Sequence, residues 1–344
     1  MDAKAYYTED NHGAYQHYDI GDYVLDGGGT INNCQLAYTT FGELNAAKDN
    51  VILVPTWFSG SHQIMAQVYV GKGRALDPEK YFIVIINQLG NGLSSSPHTQ
   101  LANNFPSVQI SDDVRAQHQL LTEKFAISSL ALVVGGSMGA QQSYEWAVRY
   151  PDMVKRAAPI AGTAKVTPHN SIFTQAIIDS ITSDPAWQDG RYAISTDVQL
   201  GLQRLAKLFT LMGWSAEFFN KERWRALGFS SMDEFITDFM IAYFAPMDAN
   251  SLLCMAKKWQ QSDVSHGRDG DLATVLSGIK AKVFVLSIEG DLMFPPADSE
   301  IEQQMIPGSE HHVLQTTDGH FAIFGTDAAF IEQVDGHLKT LLVM

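Results

Sequence analysis

The sequence predicts an α/β protein: a mostly parallel sheet flanked by helices, with a separate helical layer inserted before the last strands. Three observations predict it. Short, wholly apolar runs recur at 51–54, 81–86 and 130–134, as expected for strands buried on both faces. Segments of helical spacing alternate with these runs, which makes neighbouring strands parallel and their crossovers right-handed. Between residues 165 and 278 strand-like runs stop and aromatic residues accumulate, Phe173, Trp187, Phe209, Trp214, Trp224 and Phe239 among them.

The elements follow in order. Residues 18–25 and 33–41 alternate apolar and β-prone side chains, and Asp26-Gly27-Gly28-Gly29 between them supplies a hairpin turn. The runs 51–54 and 81–86 are buried strands. Gly90-Asn91-Gly92 then forms a tight turn without phosphate-loop spacing. Ser111 with Asp112 and Asp113 resembles a helix start, with Val114, Leu121 and Phe125 on one face. Residues 130–134 are the next strand, 140–150 a helix, 156–161, 283–287 and 312–314 further strands, and 330–342 a closing helix. Residues 1–164 and 279–344 therefore form the core and 165–278 a helical cap. Most cap aromatics hold the cap together, and a few line its path to the core.

Composition bounds the function. The 344 residues, 45% of them hydrophobic, can build one large domain with an insertion. A net charge of -15 without a basic run argues against nucleic acid or anionic membranes as partners. Cys34 and Cys254 are far apart, so a disulfide framework is not expected and a reducing, cytoplasmic setting fits. The N-terminal residues carry no apolar signal-like core, and no stretch approaches the roughly 20 apolar residues of a membrane span. Metal-ligand and nucleotide-binding patterns do not occur, so neither metal nor cofactor is expected.

The chemistry-bearing motif is Gly135-x-Ser137-x-Gly139. An apolar strand runs into it and a helix leaves it, the context of a nucleophile elbow in the α/β-hydrolase fold. A serine hydroxyl needs a base, and the base needs an orienting acid. In this fold the order is serine, acid, histidine. Asp291 lies just past the strand at 283–287, on a loop leading into Pro295-Pro296; Glu289 is its rival, closer to the strand and less free to reach across. Among eleven histidines, His320 follows the last strand. His311, His312 and His337 fall within regular elements, and the rest precede Asp291. Two backbone N–H groups should face the developing oxyanion. Met138, after the nucleophile, supplies one; the loop after 51–54 supplies the other, from Phe58, with Trp57 close behind.

Beyond these residues the sequence resembles the homoserine acetyltransferase family of α/β-hydrolases. The shared blocks are Gly135-Gly136-Ser137-Met138-Gly139, Glu145-Trp146-Ala147, Tyr150-Pro151-Asp152, Pro159-Ile160-Ala161 and Asp248-Ala249-Asn250-Ser251. The resemblance implies Ser137, Asp291 and His320 as a triad, Met138 and Phe58 as the oxyanion hole, and a cytoplasmic, dimeric protein whose cap forms a tunnel to the serine. It also marks departures. An aspartate that holds the substrate amine after the family's histidine is Phe321 here. The family's carboxylate-binding cap arginine corresponds to Lys207, which keeps charge but loses the planar fork. Thr56-Trp57-Phe58-Ser59-Gly60 replaces the family's His-Ala-Leu-Thr-Gly. These changes imply the esterase branch, with water rather than homoserine as acceptor and a small ester as substrate. Acyl-CoA-dependent O-acyl transfer is the alternative. Trp57, Lys207 and Phe321 are the candidate substrate-contacting residues.

Overall fold

The computed structural model of the protein describes residues 3–100, 104–194 and 197–344. Eight strands form one sheet: β1 Gln16–Val24, β2 Thr30–Phe41, β3 Val51–Pro55, β4 Phe82–Ile86, β5 Leu132–Gly136, β6 Arg156–Ile160, β7 Lys282–Ile288 and β8 Glu310–Leu314. Their order is β1-β2-β4-β3-β5-β6-β7-β8. The pairs β1/β2 and β2/β4 are antiparallel, and every later pair is parallel. The predicted hairpin and the parallel sheet are both present, and the last strand starts earlier than 312.

The apolar runs are strands because both of their faces are covered. In β3, Val51 and Leu53 enter one core cluster while Ile52 and Val54 enter another. In β4, Val84 and Ile86 alternate in the same way with Ile83 and Ile85. Successive strand residues point to opposite faces, so each run needs apolar residues at every position. Helices supply the two covers: α1 His62–Tyr69, α2 Ile110–Gln119 and α3 Met138–Arg149 in the first half of the chain. The start of α2 differs in detail from the expectation. Gln109 is the N-cap and pairs with Asp112 in a capping box, so Ser111 lies inside the helix.

The helical layer contains α4 Pro168–Thr182, α5 Gln199–Gly213 and α6 Ala249–Gln260. Side chains of Thr167 and Asp248 accept N–H groups at the starts of α4 and α6. The aromatics of this layer interlock: Trp214 stacks on Phe218 with centroids 4.1 Å apart, and Phe209 contacts Phe58 of the core at 5.2 Å. After the layer come α7 Leu272–Ser277, α8 Pro296–Gln303 and α9 Ala328–Val343.

The layer ends sooner than the sequence suggested. Its entry and exit segments lie side by side, Lys165 bridging Asp263, with Val264 N–H donating to Ala164 and Val166 N–H to Ser262. Val264 and Leu276 are then buried in the sheet cluster, with Leu272 and Val275 packed on it. The chain thus returns to the core near residue 264 rather than 278. Helical pattern alone could not mark the change, because α7 is a helix that belongs to the core.

Glu302, on α8, clamps this junction. Its carboxyl accepts the N–H of Ala164 at 2.6 Å and of Lys165 at 3.0 Å. Burial pushes the group up to about 8, opposed by those two donors and reinforced by Asp298 and Asp263. An acid raised in the folded state binds a proton that the unfolded chain has already released, so stability falls as pH rises. The window runs from the ordinary value of 4.5 to about 8. We expect melting temperature to fall across that window, by up to about 1.4 kcal/mol per pH unit of stability. Glu302→Gln should flatten that slope; identical pH profiles for parent and variant would refute the assignment.

Candidate active site

The site begins at the end of β5. Ser137 sits between that strand and α3 at φ 54°, ψ -121°, a left-handed backbone that costs roughly 1–3 kcal/mol for a residue other than glycine. Its N–H donates to Ile160, and its carbonyl accepts the N–H of Ala140, each at 2.9 Å. The turn is possible only because its neighbours lack side chains. A Cβ on Gly135 would lie 2.5 Å from the Gly139 carbonyl carbon, and one on Gly139 2.6 Å from the Pro55 oxygen. The two glycines of the motif thus let β5, α3 and the end of β3 meet behind the serine.

His320 lies in a short 3-10 turn, Gly319–Phe324, after β8. Its Nε2 is 3.1 Å from Ser137 Oγ, and its Nδ1 is 2.8 Å from Asp291 Oδ2. With the hydrogen on Nδ1, the imidazole donates to Asp291 and accepts from Ser137. The other carboxylate oxygen of Asp291 accepts two N–H groups, from Met293 at 2.8 Å and Phe294 at 2.9 Å. These fix the carboxylate and leave Oδ2 for the imidazole. Ser137, Asp291 and His320 are all buried, each less than 5% exposed. The rival Glu289 is exposed. His311 is bound to Ser287, and His312 packs on His337.

Met138 is the first residue of α3, where an N–H has no intrahelical acceptor. Phe58 lies in the loop between β3 and α1, its ring against Phe209 and Trp259 of the helical layer. The Thr56–Phe58 backbone and the Met138 turn are tied together by side-chain amides. Gln142 donates to the carbonyls of Thr56 and Met138, and Gln88 also donates to Thr56. Gln88 in turn accepts from Lys258 of α6, which pairs with Asp113 of α2. Burial pushes the Asp113 carboxyl up, against the pull of the Lys258 ammonium. None of Gln88, Gln142 and Lys258 was singled out from sequence. Their types are ordinary, and only their burial reveals them.

The candidate substrate residues separate. Phe321 is buried between Trp214 and Phe324, with ring centroids 5.2 Å away on each side. It also lines an apolar cavity of about 280 Å³ with Tyr243 and Met240. Trp57 turns instead into the sheet-face cluster with Val134, Ile160 and Ile323. Its indole lies so close to Gly60 that a Cβ there would be 2.2 Å from Nε1. The ring thus supports the elbow from the core side. Lys207 is exposed on the outer face of α5, because Leu205, Ala206 and Phe209 occupy the inner face. The expectation that Trp57 and Lys207 touch substrate is corrected by these two placements.

Among the described residues no group of His, Cys, Asp and Glu could hold a metal ion, and no single helix is long and apolar enough to cross a membrane. Both cysteines are free.

The strand-turn-helix serine and its buried histidine partner define a class, and comparison with known proteins identifies it. Residues 49–326 match the model of the alpha/beta hydrolase fold. The chain belongs to that family, in the esterase-like branch of the homoserine O-acetyltransferase group. It is 56% identical over 342 residues to an ethyl acetate hydrolase of Pseudomonas veronii, covering 98% of each chain. It superposes on the solved structure of the acetyl esterase MekB with a TM-score of 0.97, covering 99% of this chain and 100% of that one. It is 32% identical to a homoserine O-acetyltransferase of Zymomonas mobilis over 312 residues, 82% of this chain and 83% of that one.

Proposed function

We propose that this protein is a serine carboxylesterase that hydrolyses short-chain esters, above all acetates, through an acyl-enzyme. The observation that carries the reading is the unbroken hydrogen-bonded line from Asp291 through His320 to Ser137. Ser137 Oγ attacks the ester carbonyl while His320 Nε2 takes its proton. The resulting oxyanion faces the N–H groups of Phe58 and Met138, each worth about 3 kcal/mol in such a site. His320 then passes the proton to the departing alcohol, with Asp291 stabilising the imidazolium. Water attacks the acyl-enzyme by the reverse route, releasing the acid and restoring Ser137.

Water rather than homoserine resolves the acyl-enzyme in this reading. An amino-acid acceptor brings a cation, and beside His320 the chain offers the aromatic ring of Phe321. Lys207 faces solvent and is no anchor for a carboxylate. The name of the 56% identical relative, an ethyl acetate hydrolase, supports the same reading. The free thiols support a reducing, cytoplasmic setting, and the family resemblance supports a homodimer.

A side-by-side assay tests the proposal. We expect p-nitrophenyl acetate to be hydrolysed with water as the only acceptor. Acetyl-CoA should be consumed no faster when homoserine is added. Homoserine-dependent release of CoA exceeding ester hydrolysis would overturn it in favour of the acyltransferase.

A further inference from the structure

We infer that Gln142 is a positioning residue for both oxyanion donors, held in one orientation by the indole of Trp146. The inference rests on the serine-esterase reading and deepens it. Gln142 is fully buried on α3, one helical turn beyond Met138. Its amide nitrogen donates to the Thr56 carbonyl at 3.2 Å and to the Met138 carbonyl at 3.4 Å. One side-chain amide therefore touches both backbone segments whose N–H groups face the substrate oxygen, the Met138 turn and the loop from Thr56 to Phe58.

A glutamine amide could in principle turn over and present its oxygen to those carbonyls, which would repel them. The rest of the network forbids it. Trp146 Nε1 can only donate, and it donates to Gln117 Oε1 at 2.8 Å. Gln117 must then turn its NH2 towards Gln142, whose Oε1 accepts it. That leaves the Gln142 NH2 aimed at Thr56 and Met138. Thr56 is held from its other side in the same manner. Lys258 Nζ, also only a donor, binds Gln88 Oε1 at 3.2 Å, and the Gln88 NH2 meets the Thr56 carbonyl. Gln88, Gln117 and Gln142 are all fully buried, so water does not compete for these groups. Two donor-only groups thus fix the plane of the Thr56–Trp57 peptide, from which the Phe58 N–H is one residue away.

Gln142→Met keeps the length and volume of the side chain and removes both donors. Losing a whole oxyanion donor costs about 10²–10³-fold in kcat, so loosening two should cost about tenfold. We expect that fall in kcat with KM for p-nitrophenyl acetate within about twofold of the parent. A short trifluoromethyl ketone, whose serine adduct carries the oxyanion, should lose affinity by the same factor. Trp146→Phe leaves α3 packed but frees the amides to turn, and should show a smaller fall with the same split. A purely structural role would lower melting temperature without this parallel loss.

A folded Gln142→Met variant with parental kcat and parental ketone affinity overturns the inference, as does a change confined to KM. If Gln142→Met does not fold, parental kcat in both Trp146→Phe and Gln88→Met overturns it. Ser137→Ala separates the two levels. An active Ser137→Ala enzyme defeats the esterase reading itself, whereas an inactive one beside an unaffected Gln142→Met defeats only the positioning role.

Discussion

Ser137→Ala is expected to lower kcat for p-nitrophenyl acetate by roughly 10⁵-fold or more, the loss seen when a hydrolase nucleophile is removed. The fold should survive. The alanine Cβ occupies the same place as the serine Cβ, and the turn around it is held by backbone bonds to Ile160 and Ala140 that the substitution does not touch. The hydroxyl has one described side-chain partner, His320 Nε2. That nitrogen accepts in the resting state, and losing one neutral hydrogen bond costs only about 1 kcal/mol. Melting temperature should therefore stay close to the parent while activity disappears. A fluorophosphonate probe should label the parent at Ser137 and leave the variant unlabelled. Residual activity within tenfold of the parent would mean that another group attacks the ester, and the esterase mechanism would fall with it.

The reason for so large an effect is that several weaker features converge on one atom. The strained φ of Ser137 lifts Oγ out of the turn, and the glycines at 135 and 139 let β3 and α3 close behind it. Gly162 must also lack a Cβ, which would otherwise lie 2.7 Å from the Ser137 carbonyl oxygen. On the cap side, Gly319 presses against the backbone of Ser215, where a Cβ would be 2.7 Å from the nitrogen. The loop that carries His320 is thus wedged under the helical layer. Asp318, beside it, is buried and lies 3.5 Å from Arg223 of that layer. The helical layer thus packs directly on the loop that carries His320.

How much of this was legible in the sequence depended on how local its cause was. The apolar runs at 51–54 and 81–86 became β3 and β4, because a strand covered on both faces must be apolar at every position. Ser137, Asp291 and His320 could be picked because each follows a strand, and strand ends in this fold converge on one edge. The hydrogen bonds among them belong to the folded chain, but the order of the three was written in the sequence. The misplaced residues fail because the direction of a side chain is set only by the packing of the folded chain. Trp57 and Phe58 are adjacent, and which ring turns inward depends on the packing of Gly60 and Gly136 against the indole. Lys207 is expected only from the family's cap arginine, and on the folded helix it lies opposite the buried Leu205, Ala206 and Phe209. Gln142 had no signal at all. A buried glutamine in a helix looks like a surface one until its partner Gln117, 25 positions away and itself held by the Trp146 indole, is in place.

Asp291→Asn is expected to cost about 10⁴-fold in kcat while leaving the protein folded, the size of effect that follows when a catalytic histidine is held in its wrong tautomer. The direction follows from the partners of the carboxylate. Asp291 Oδ1 accepts N–H groups from Met293 and Phe294, which are backbone donors and cannot reverse. In the variant the amide oxygen must take that place, because an NH2 there would face two donors. The amide NH2 is then forced towards His320 Nδ1. Nδ1 can meet it only as an acceptor, so the imidazole hydrogen moves to Nε2. That nitrogen would face Ser137 Oγ as a donor and could no longer take its proton. Asp291→Ala is the contrasting case. It strips both backbone N–H groups of their acceptor, and each buried unpaired donor costs about 1–3 kcal/mol. Asparagine should therefore separate activity from stability, and alanine should lose both. Kinetics and thermal melting on the two variants test this together. An asparagine variant retaining a tenth or more of parental kcat would show that the carboxylate does not set the tautomer of His320.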